Sequence, residues 1–365
     1  MSIPSIGIRG AGLSGLSVAR ELLRHEPRTN ITIFDTRPRL PHPPRTFCFF
    51  GPRYPSVASG HTLAWNSVIF RGQSFERRID VSHRPYTLIR GDDFFSSTLQ
   101  ELEQRGVQFR WGLAAVEING NSIQADNETT NFDVVIDAAF EPKAAHATLW
   151  QSFAGVWVTM EQSACAPGAA ILMDLDESSP EAPVSFLYIL PSSERTALVE
   201  HTTFSPSPMA KEYHLERCFE WLEKHHPGKR QRGATEYGRI PMGLHTPTPP
   251  GRLVVGSAAG VVRPATGYAF LRAQEHARKV ALHVLGQGAA PSNPHPRWLE
   301  TADSLFLRAL LNAPLQGRHI MERLLSRARG DSLIAFLSGD VGPLDALSVW
   351  LSVPKYTMIR SLLRV

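Results

Sequence analysis

Gly10-Ala11-Gly12-Leu13-Ser14-Gly15 lies between Ile6-Gly7-Ile8-Arg9, which reads as a short strand, and Leu16 to Arg24, which reads as a helix. Each glycine has its own reason. Gly10 permits the tight turn, Gly12 lets the backbone approach a pyrophosphate, and Gly15 lets the helix pack close to the sheet. The pyrophosphate would sit at the helix N-terminus, where unpaired N–H groups and the helix dipole favour negative charge. A second strand, Ile31-Thr32-Ile33-Phe34, ends in Asp35. That acid falls about 20 residues past the last glycine, the position of a carboxylate on an adenosine ribose. Strand, turn, helix, strand and acid in register predict a nucleotide-binding unit. Arg9 departs from the pattern, because an apolar residue usually ends a buried first strand. It either snorkels to the sheet edge or marks a shorter strand.

A second glycine-bearing segment comes late in the chain. Leu253-Val254-Val255 reads as a strand that returns to the nucleotide domain, and Gly256-Ser257-Ala258-Ala259-Gly260 follows it. Next come Pro264-Ala265-Thr266-Gly267-Tyr268 and a helix from Phe270 to Leu285. Two cradles closing on one pocket suit a tightly held flavin dinucleotide better than a nicotinamide that comes and goes.

The 365 residues suffice for about two domains, and 42% hydrophobic with 20% charged residues is ordinary globular composition. A net charge of +4 is too small to argue for nucleic acid but is compatible with an anionic membrane surface. Cys48, Cys165 and Cys218 make no metal or redox spacing, so no metal site is expected and a reducing compartment fits. No secretory leader is expected before the first strand, and no apolar run reaches the roughly 18 residues of a span. The expectation is a protein in the cytoplasm or peripheral on the inner face of the membrane.

Between the cradles, Arg37 to Arg45 reads as a loop, and strand-like pieces follow at Ser67 to Phe70 and Tyr86 to Arg90. Asp92 or Asp93 is expected to cap a helix that ends at Gly106, with a strand at Val107 to Trp111. Asn119-Gly120 predicts a hairpin, and Asp133 to Asp137 a buried strand. From Val156 to Thr203, strand-like runs follow one another without helices, predicting a largely antiparallel sheet. A helix from Met209 to His225 and a solvated basic loop (Lys229, Arg230, Arg232) come next. The last 70 or so residues read as helical, with apolar and arginine positions alternating through Leu305, Leu307, Arg308, Leu310, Leu311, Met321, Arg323, Leu324, Leu325 and Arg327. Such a face suits either lipid or the body of the protein.

The fold class expected is therefore α/β. It has a Rossmann-type FAD-binding domain, an inserted and largely antiparallel β-sheet substrate domain, and a helical C-terminal region. The FAD-binding domain is drawn from 1–45, 86–150 and 246–290, the substrate domain from 46–85 and 151–245, and the helical region from 291–365.

Gly256 to Tyr268 resembles the late flavin motif of lycopene cyclases in their bacterial form. Ile240-Pro241-Met242-Gly243 is similar to theirs, as are Phe186-Leu187-Tyr188-Ile189-Leu190-Pro191, Ala197-Leu198-Val199-Glu200-His201-Thr202 and Arg45-Thr46-Phe47-Cys48-Phe49. The resemblance covers nearly the whole chain. It implies an intramolecular lyase (isomerase) of carotenoid biosynthesis that closes the open ends of lycopene, or a related acyclic carotenoid, into rings. It implies FAD acting in its reduced form, with NAD(P)H as the electron source and no net redox change. Gly10, Gly12, Gly15, Asp35, Gly256, Ser257, Gly260, Pro264, Thr266 and Gly267 would hold the cofactor. Phe186, Tyr188, Pro241 and Tyr268 would line the substrate site. The Pro264 to Tyr268 turn would direct backbone N–H groups at the flavin ring.

Glu200 matches the family's essential carboxylate. On its strand it shares a face with Leu198 and Thr202, company that would raise its pKa and keep it protonated. The residues alone leave it open between this role and a surface carboxylate. His201 departs from the family, where an acid is usual, and should point to the other face. Ala138-Ala139 departs too, where arginine and glycine usually follow the Asp. Ser257 stands where flavin monooxygenases usually carry Asp. Two other readings stay open: an FAD-dependent oxidoreductase or monooxygenase acting on a polyprenyl lipid, and a non-catalytic flavin or carotenoid binder.

Overall fold

The computed structural model describes residues 3–39, 44–51, 62–140, 146–161, 166–176, 180–244, 251–291 and 295–362. Cys165 and part of the Arg37 to Arg45 loop lie outside them. The strands are β1 (Ser5–Arg9), β2 (Asn30–Phe34), β3 (Thr46–Phe50), β4 (Thr62–Trp65), β5 (Ser67–Gly72), β6 (Phe75–Asp80), β7 (Tyr86–Arg90), β8 (Gln108–Arg110) and β9 (Val116–Asn119). They continue as β10 (Ser122–Ala125), β11 (Glu128–Asn131), β12 (Val134–Asp137), β13 (Ala147–Met160), β14 (Ala169–Leu175), β15 (Val184–Pro191), β16 (Thr196–Ser205), β17 (Arg230–Leu244) and β18 (Leu253–Val254). The helices are α1 (Leu13–His25), α2 (Gly91–Gln104), α3 (Lys211–His225), α4 (Phe270–Val284), α5 (Arg297–Asn312), α6 (Gly317–Arg327), α7 (Gly330–Ser338), α8 (Pro343–Ser352) and α9 (Lys355–Leu362).

A five-stranded parallel sheet runs in the order β18-β12-β1-β2-β8. Its strands are apolar because both faces are covered; Ile6, Ile8, Ile31, Ile33 and Ile136 are buried against α1, α2 and α4. Register explains Arg9. It lies opposite Asp137 of β12, and the two side chains pair bidentately at 2.8 and 2.9 Å. The charge at the end of β1 is therefore matched inside the sheet.

The Asn119-Gly120 hairpin forms one residue later than its dipeptide suggests. Asn119 pairs with Ser122, leaving Gly120 (φ +58°) and Asn121 as the loop. A third strand, β11, extends it. Its polar run Glu128-Thr129-Thr130-Asn131 carries no apolar alternation to announce it. Helix α2 begins at Gly91 with Arg90 at its N-cap, so Asp92 and Asp93 lie in the first turn instead of capping it. There they still complement the helix dipole.

The large sheet has seven strands in the order β17-β13-β16-β15-β14-β5-β6 and is antiparallel except between β14 and β5. One face packs on α3 through Val156, Val158, Val199, Cys218 and Leu222. The other faces α5 and α6 and the turn before α4. Arg230 and Arg232, expected in a solvated loop, open β17 opposite Met160 and Val158. The Arg232 guanidinium lies 3.9 Å from the Phe219 ring centroid, a cation–π contact that seats a basic run in a strand. Strand β13 runs unbroken across residues 150 and 151, where a domain boundary was drawn. Strand β7 pairs with β3 and β4 in a separate small sheet.

In the C-terminal helices, Leu307, Leu310, Met321, Leu324 and Leu325 are buried against the body of the protein. Leu305 and Leu311 of the same stripe are exposed, as are Trp298 and Leu315, and further exposed apolar side chains follow at Leu344 (81% exposed), Leu347, Trp350, Leu351, Tyr356 and Ile359 of α8 and α9. Among the described residues, no single helix is long and apolar enough to cross a membrane.

Candidate active site

The two glycine cradles meet. Gly10 adopts φ +102°, and a Cβ on Gly15 would lie 2.0 Å from the Gly10 carbonyl oxygen, so both are fixed by backbone geometry. Gly12 is different. Its backbone is extended, it caps α1, and a Cβ there would meet nothing within 4 Å. Gly256 has φ +78°, and a Cβ on it would approach Ser14 Oγ to 2.8 Å, which seats the late segment on the N-terminus of α1. Ser257 follows in the 3-10 turn Gly256–Ala259, which Gly260 ends at φ +72°, again facing open space.

Asp35 accepts hydrogen bonds from Ala11 N–H at 2.7 Å and Arg37 N–H at 2.8 Å, and pairs with the Arg37 guanidinium at 2.6 Å. Burial opposes its ionisation, but the Arg37 and Ala11 contacts outweigh that and hold its carboxyl below the usual range.

The Arg263 to Tyr268 turn is closed by Gly267 N–H on Arg263 O at 2.9 Å and by Arg263 N–H on Tyr268 O at 3.1 Å. Thr266 N–H also reaches Arg263 O, and Ala265 N–H reaches Asp303. The N–H groups of Ala265, Thr266 and Gly267 are thus directed to Arg263 O and to α5. Asp303 of α5 pairs with the fully buried Arg263 guanidinium through two contacts of 3.1 Å. Nothing in the sequence of α5 marks Asp303 for this. Gly267 (φ +72°) packs on Gln151 of β13, and the buried Gln151 Oε1 and Thr266 Oγ1 have no hydrogen-bond partner among the described residues. Open space at Gly12 and Gly260, helix-end donors and these two orphaned oxygens fit an FAD lying across both cradles.

Glu200 lies on the face of the large sheet that looks toward that turn. It is opposite Gly155 of β13, and Gly155 is in turn opposite Glu236 of β17. Residues in register share a face. The two glutamates thus flank a glycine on three adjacent strands, and their carboxyls hydrogen-bond to one another. Thr202 Oγ donates to Glu200 at 3.3 Å and Thr46 Oγ to Glu236 at 3.0 Å. Burial, reinforced by Glu236, holds the Glu200 carboxyl well above the usual range. Burial also pushes Glu236 up to about 7. Sequence reasoning missed Glu236 because Thr235 to Arg239 carries no pattern that marks it; only register reveals its neighbour.

Tyr188 is opposite Glu200 on β15. The Tyr268 hydroxyl hydrogen-bonds with those of Tyr86, at 3.4 Å, and Tyr188. Tyr268 thus joins the late cradle to the Glu200 pocket. Burial raises all three phenols and the nearby Cys48 thiol, so each is neutral at neutral pH. Phe186 packs its ring 5.1 Å from Tyr188 and 5.7 Å from Phe204.

Pro241 is not brought to this face. It pairs with Trp150, one residue out of phase with the Gly155 row, and so lies on the α3 side. His201 is there too, bonded to Ser185 at 2.9 Å and His214 at 2.9 Å. Burial depresses the two imidazoles to about 3 and about 4. Two surface hollows of about 480 and 830 Å³, lined by Asp176, Tyr213, Arg217 and Lys224 among others, also open on that side, away from Glu200.

A parallel nucleotide sheet with converging cradles, backed by a large antiparallel sheet, defines the Rossmann-type fold of FAD-dependent enzymes. The sequence profile of the lycopene cyclase protein family matches residues 6–363, and the chain belongs to that family. No curated protein matches it. Among solved structures, it resembles a geranylgeranyl bacteriochlorophyll reductase-like protein from Thermoplasma acidophilum (16% identity, TM-score 0.54, 100% of this chain and 96% of that one). It also resembles a flavoprotein/dehydrogenase from Cytophaga hutchinsonii (11%, 0.61, 95% and 96%). A third is a halogenase PltM variant in complex with FAD (13%, 0.59, 98% and 86%). At these identities the likeness is one of fold.

Proposed function

We propose that this protein is an FAD-dependent cyclase that closes the open ends of lycopene, or a close acyclic carotenoid, without net redox change. The observation that carries the reading is Glu200. It is a buried carboxyl opposite Tyr188, in an aromatic pocket that Tyr268 joins to the late cradle, and burial there raises its pKa and favours the protonated form. Glu200 gives its proton to the terminal double bond, the neighbouring double bond attacks the cation, and a proton then leaves the ring.

Gly12, Gly260, Gln151, Thr266 and the N-terminus of α1 would hold FAD, with Asp35 on its ribose. Bound in reduced form, the cofactor would supply negative charge beside the cation, with NAD(P)H the source of electrons. An aromatic face contributes roughly 0.5–2 kcal/mol to a cation. A negative charge at about 4 Å contributes roughly 4 kcal/mol at an effective dielectric near 20. Tyr188 and Phe186 therefore shape the pocket and exclude water more than they stabilise charge. The exposed apolar and aromatic side chains of α8 and α9 support contact with a membrane surface, and the position proposed is peripheral on its cytoplasmic face.

The test is anaerobic incubation with lycopene in liposomes, FAD and a reductant, followed by chromatography of the pigments. A ringed product of unchanged mass supports the cyclase. The second reading, an FAD-dependent oxidoreductase acting on a polyprenyl lipid, requires reduced nicotinamide to be consumed in proportion to product.

A further inference from the structure

We infer that Glu236 is a positioning residue for Glu200: the two carboxyls share one proton across the side-chain-free position at Gly155, Glu200 holding it and Glu236 accepting the hydrogen bond. This rests on the reading of Glu200 as the acid. The row Glu200, Gly155, Glu236 spans three strands in register, and any other residue at the middle position would place a side chain between the carboxyls. A Cβ on Gly155 would already lie 3.2 Å from Glu200 Cβ and 2.9 Å from Leu198 Cδ1.

The surroundings decide which partner carries the proton. Glu236 has the Thr46 hydroxyl at 3.0 Å and the positive charge of Arg45 nearby, both favouring a carboxylate. Glu200 accepts only the longer Thr202 contact at 3.3 Å, has no cation among the described residues acting on it, and faces Tyr188, Tyr268 and Cys48, all neutral. Its side of the pair favours the acid.

The pair also provides a reset. When Glu200 protonates the substrate, its O–H bond breaks and the π electrons of the terminal double bond form the new C–H bond. Two carboxylates are left side by side. Their repulsion makes Glu200 a stronger base than an isolated carboxylate. It takes back the proton that the ring cation loses, and the C–H pair becomes the ring double bond. Protons and electrons balance, and Glu200 returns to its starting form.

The test is Glu236→Gln in the FAD-loaded enzyme. The expected result is a kcat lower by roughly 100-fold, the scale of a misplaced catalytic group, with KM and FAD affinity unchanged. Wild-type kcat should rise with pH around 7, where Glu236 ionises; that rise should be absent in Glu236→Gln, and Glu236→Asp should restore part of the rate. Isotope-edited infrared spectra of the carboxyl C=O stretch give a readout that needs no turnover. One buried band should vanish in Glu200→Gln. A second, titrating near 7 in the wild type, should vanish in Glu236→Gln, and the Glu200 band should then titrate at lower pH. A Glu200 band with the same pH dependence in wild type and Glu236→Gln overturns the shared proton. If Glu236→Gln does not fold, Glu236→Asp must still show both bands. A wild type that leaves lycopene unchanged but shows the coupled bands overturns the cyclase reading and leaves the pairing intact.

Discussion

Glu200 and Glu236 occupy strands that are not neighbours, yet each stands directly opposite Gly155, so their carboxyls meet over a residue with no side chain. The arrangement links a glycine in the middle of a long strand to the acid chemistry above it. Glycine in a strand interior ordinarily weakens the sheet and often marks close approach of other groups.

Gly155→Ala therefore should harm both stability and chemistry. The added methyl meets Leu198 and Glu200 too closely, and overpacking of this kind costs about 1–3 kcal/mol. Urea denaturation should show that loss, and cyclisation should fall further than the folded fraction does. Wild-type turnover in Gly155→Ala would detach the glycine from the acid.

Glu200→Gln removes the proton but keeps the shape. Cyclisation should drop by roughly 10²–10⁴-fold, the range of a general acid, while flavin fluorescence quenching on binding stays unchanged. A variant that still makes rings at the normal rate assigns the acid elsewhere.

The carboxyl pair should also leave a mark on stability. Both groups have folded-state pKa values raised above the ordinary 4.5. The folded protein therefore binds more protons than the unfolded chain above that pH. The stability is fully present below 4.5 and is lost as pH rises through about 7, where Glu236 ionises. The thermal midpoint of the flavin-free protein should fall across this window, and Glu236→Gln should flatten the slope. The imidazoles of His201 and His214 work in the opposite direction. Their depressed values stabilise the fold above 6.5, and that stability is lost as pH falls through about 4 and about 3. Proton NMR should find both rings neutral at pH 5.

Gly12 and Gly15 should separate cofactor binding from folding. A side chain on Gly12 points into open space, so Gly12→Val should keep the fold at a cost of about 1 kcal/mol for an apolar residue at the N-cap of α1. Equilibrium dialysis should show its FAD affinity reduced at least about tenfold, since it fills the cradle. Gly15→Ala puts a methyl against the Gly10 carbonyl and should unfold the domain instead.

The apolar face of α8 should bind lipid. Leu347→Glu combined with Leu351→Glu removes two exposed leucines, each worth about 1.5–3 kcal/mol when fully buried. Sedimentation with anionic liposomes should show partition lowered about tenfold or more. Unchanged partition would mean that these side chains do not meet the membrane.

The nucleotide unit was legible because each glycine, the strand period and Asp35 are local signals, and the structure realises them together. The antiparallel sheet was legible in outline from its successive apolar runs. Glu236, Asp303 and the partner of Arg9 were not, because each depends on strand register or helix packing that brings distant residues together. Pro241 shows the same limit in reverse: its neighbours in sequence belong to a motif, but one step of strand alternation turns it from the Glu200 face. The stripe from Leu305 to Arg327 suited either lipid or the body of the protein, and the structure buries Leu307 and Leu324 while leaving Leu305 and Leu311 exposed. Only the position of the body distinguishes a core stripe from an exposed one.

The Arg263–Asp303 pair gives the chain an order of assembly. The first cradle is complete once α1, β2 and β12 with the following Ala138 are made, but the late turn is braced by a helix that follows it in sequence. At synthesis rates of about 5–20 residues per second, a nascent chain would hold half a binding site for many seconds before α5 leaves the ribosome and fixes the other half. Capture of the cofactor is thereby tied to the completion of the protein.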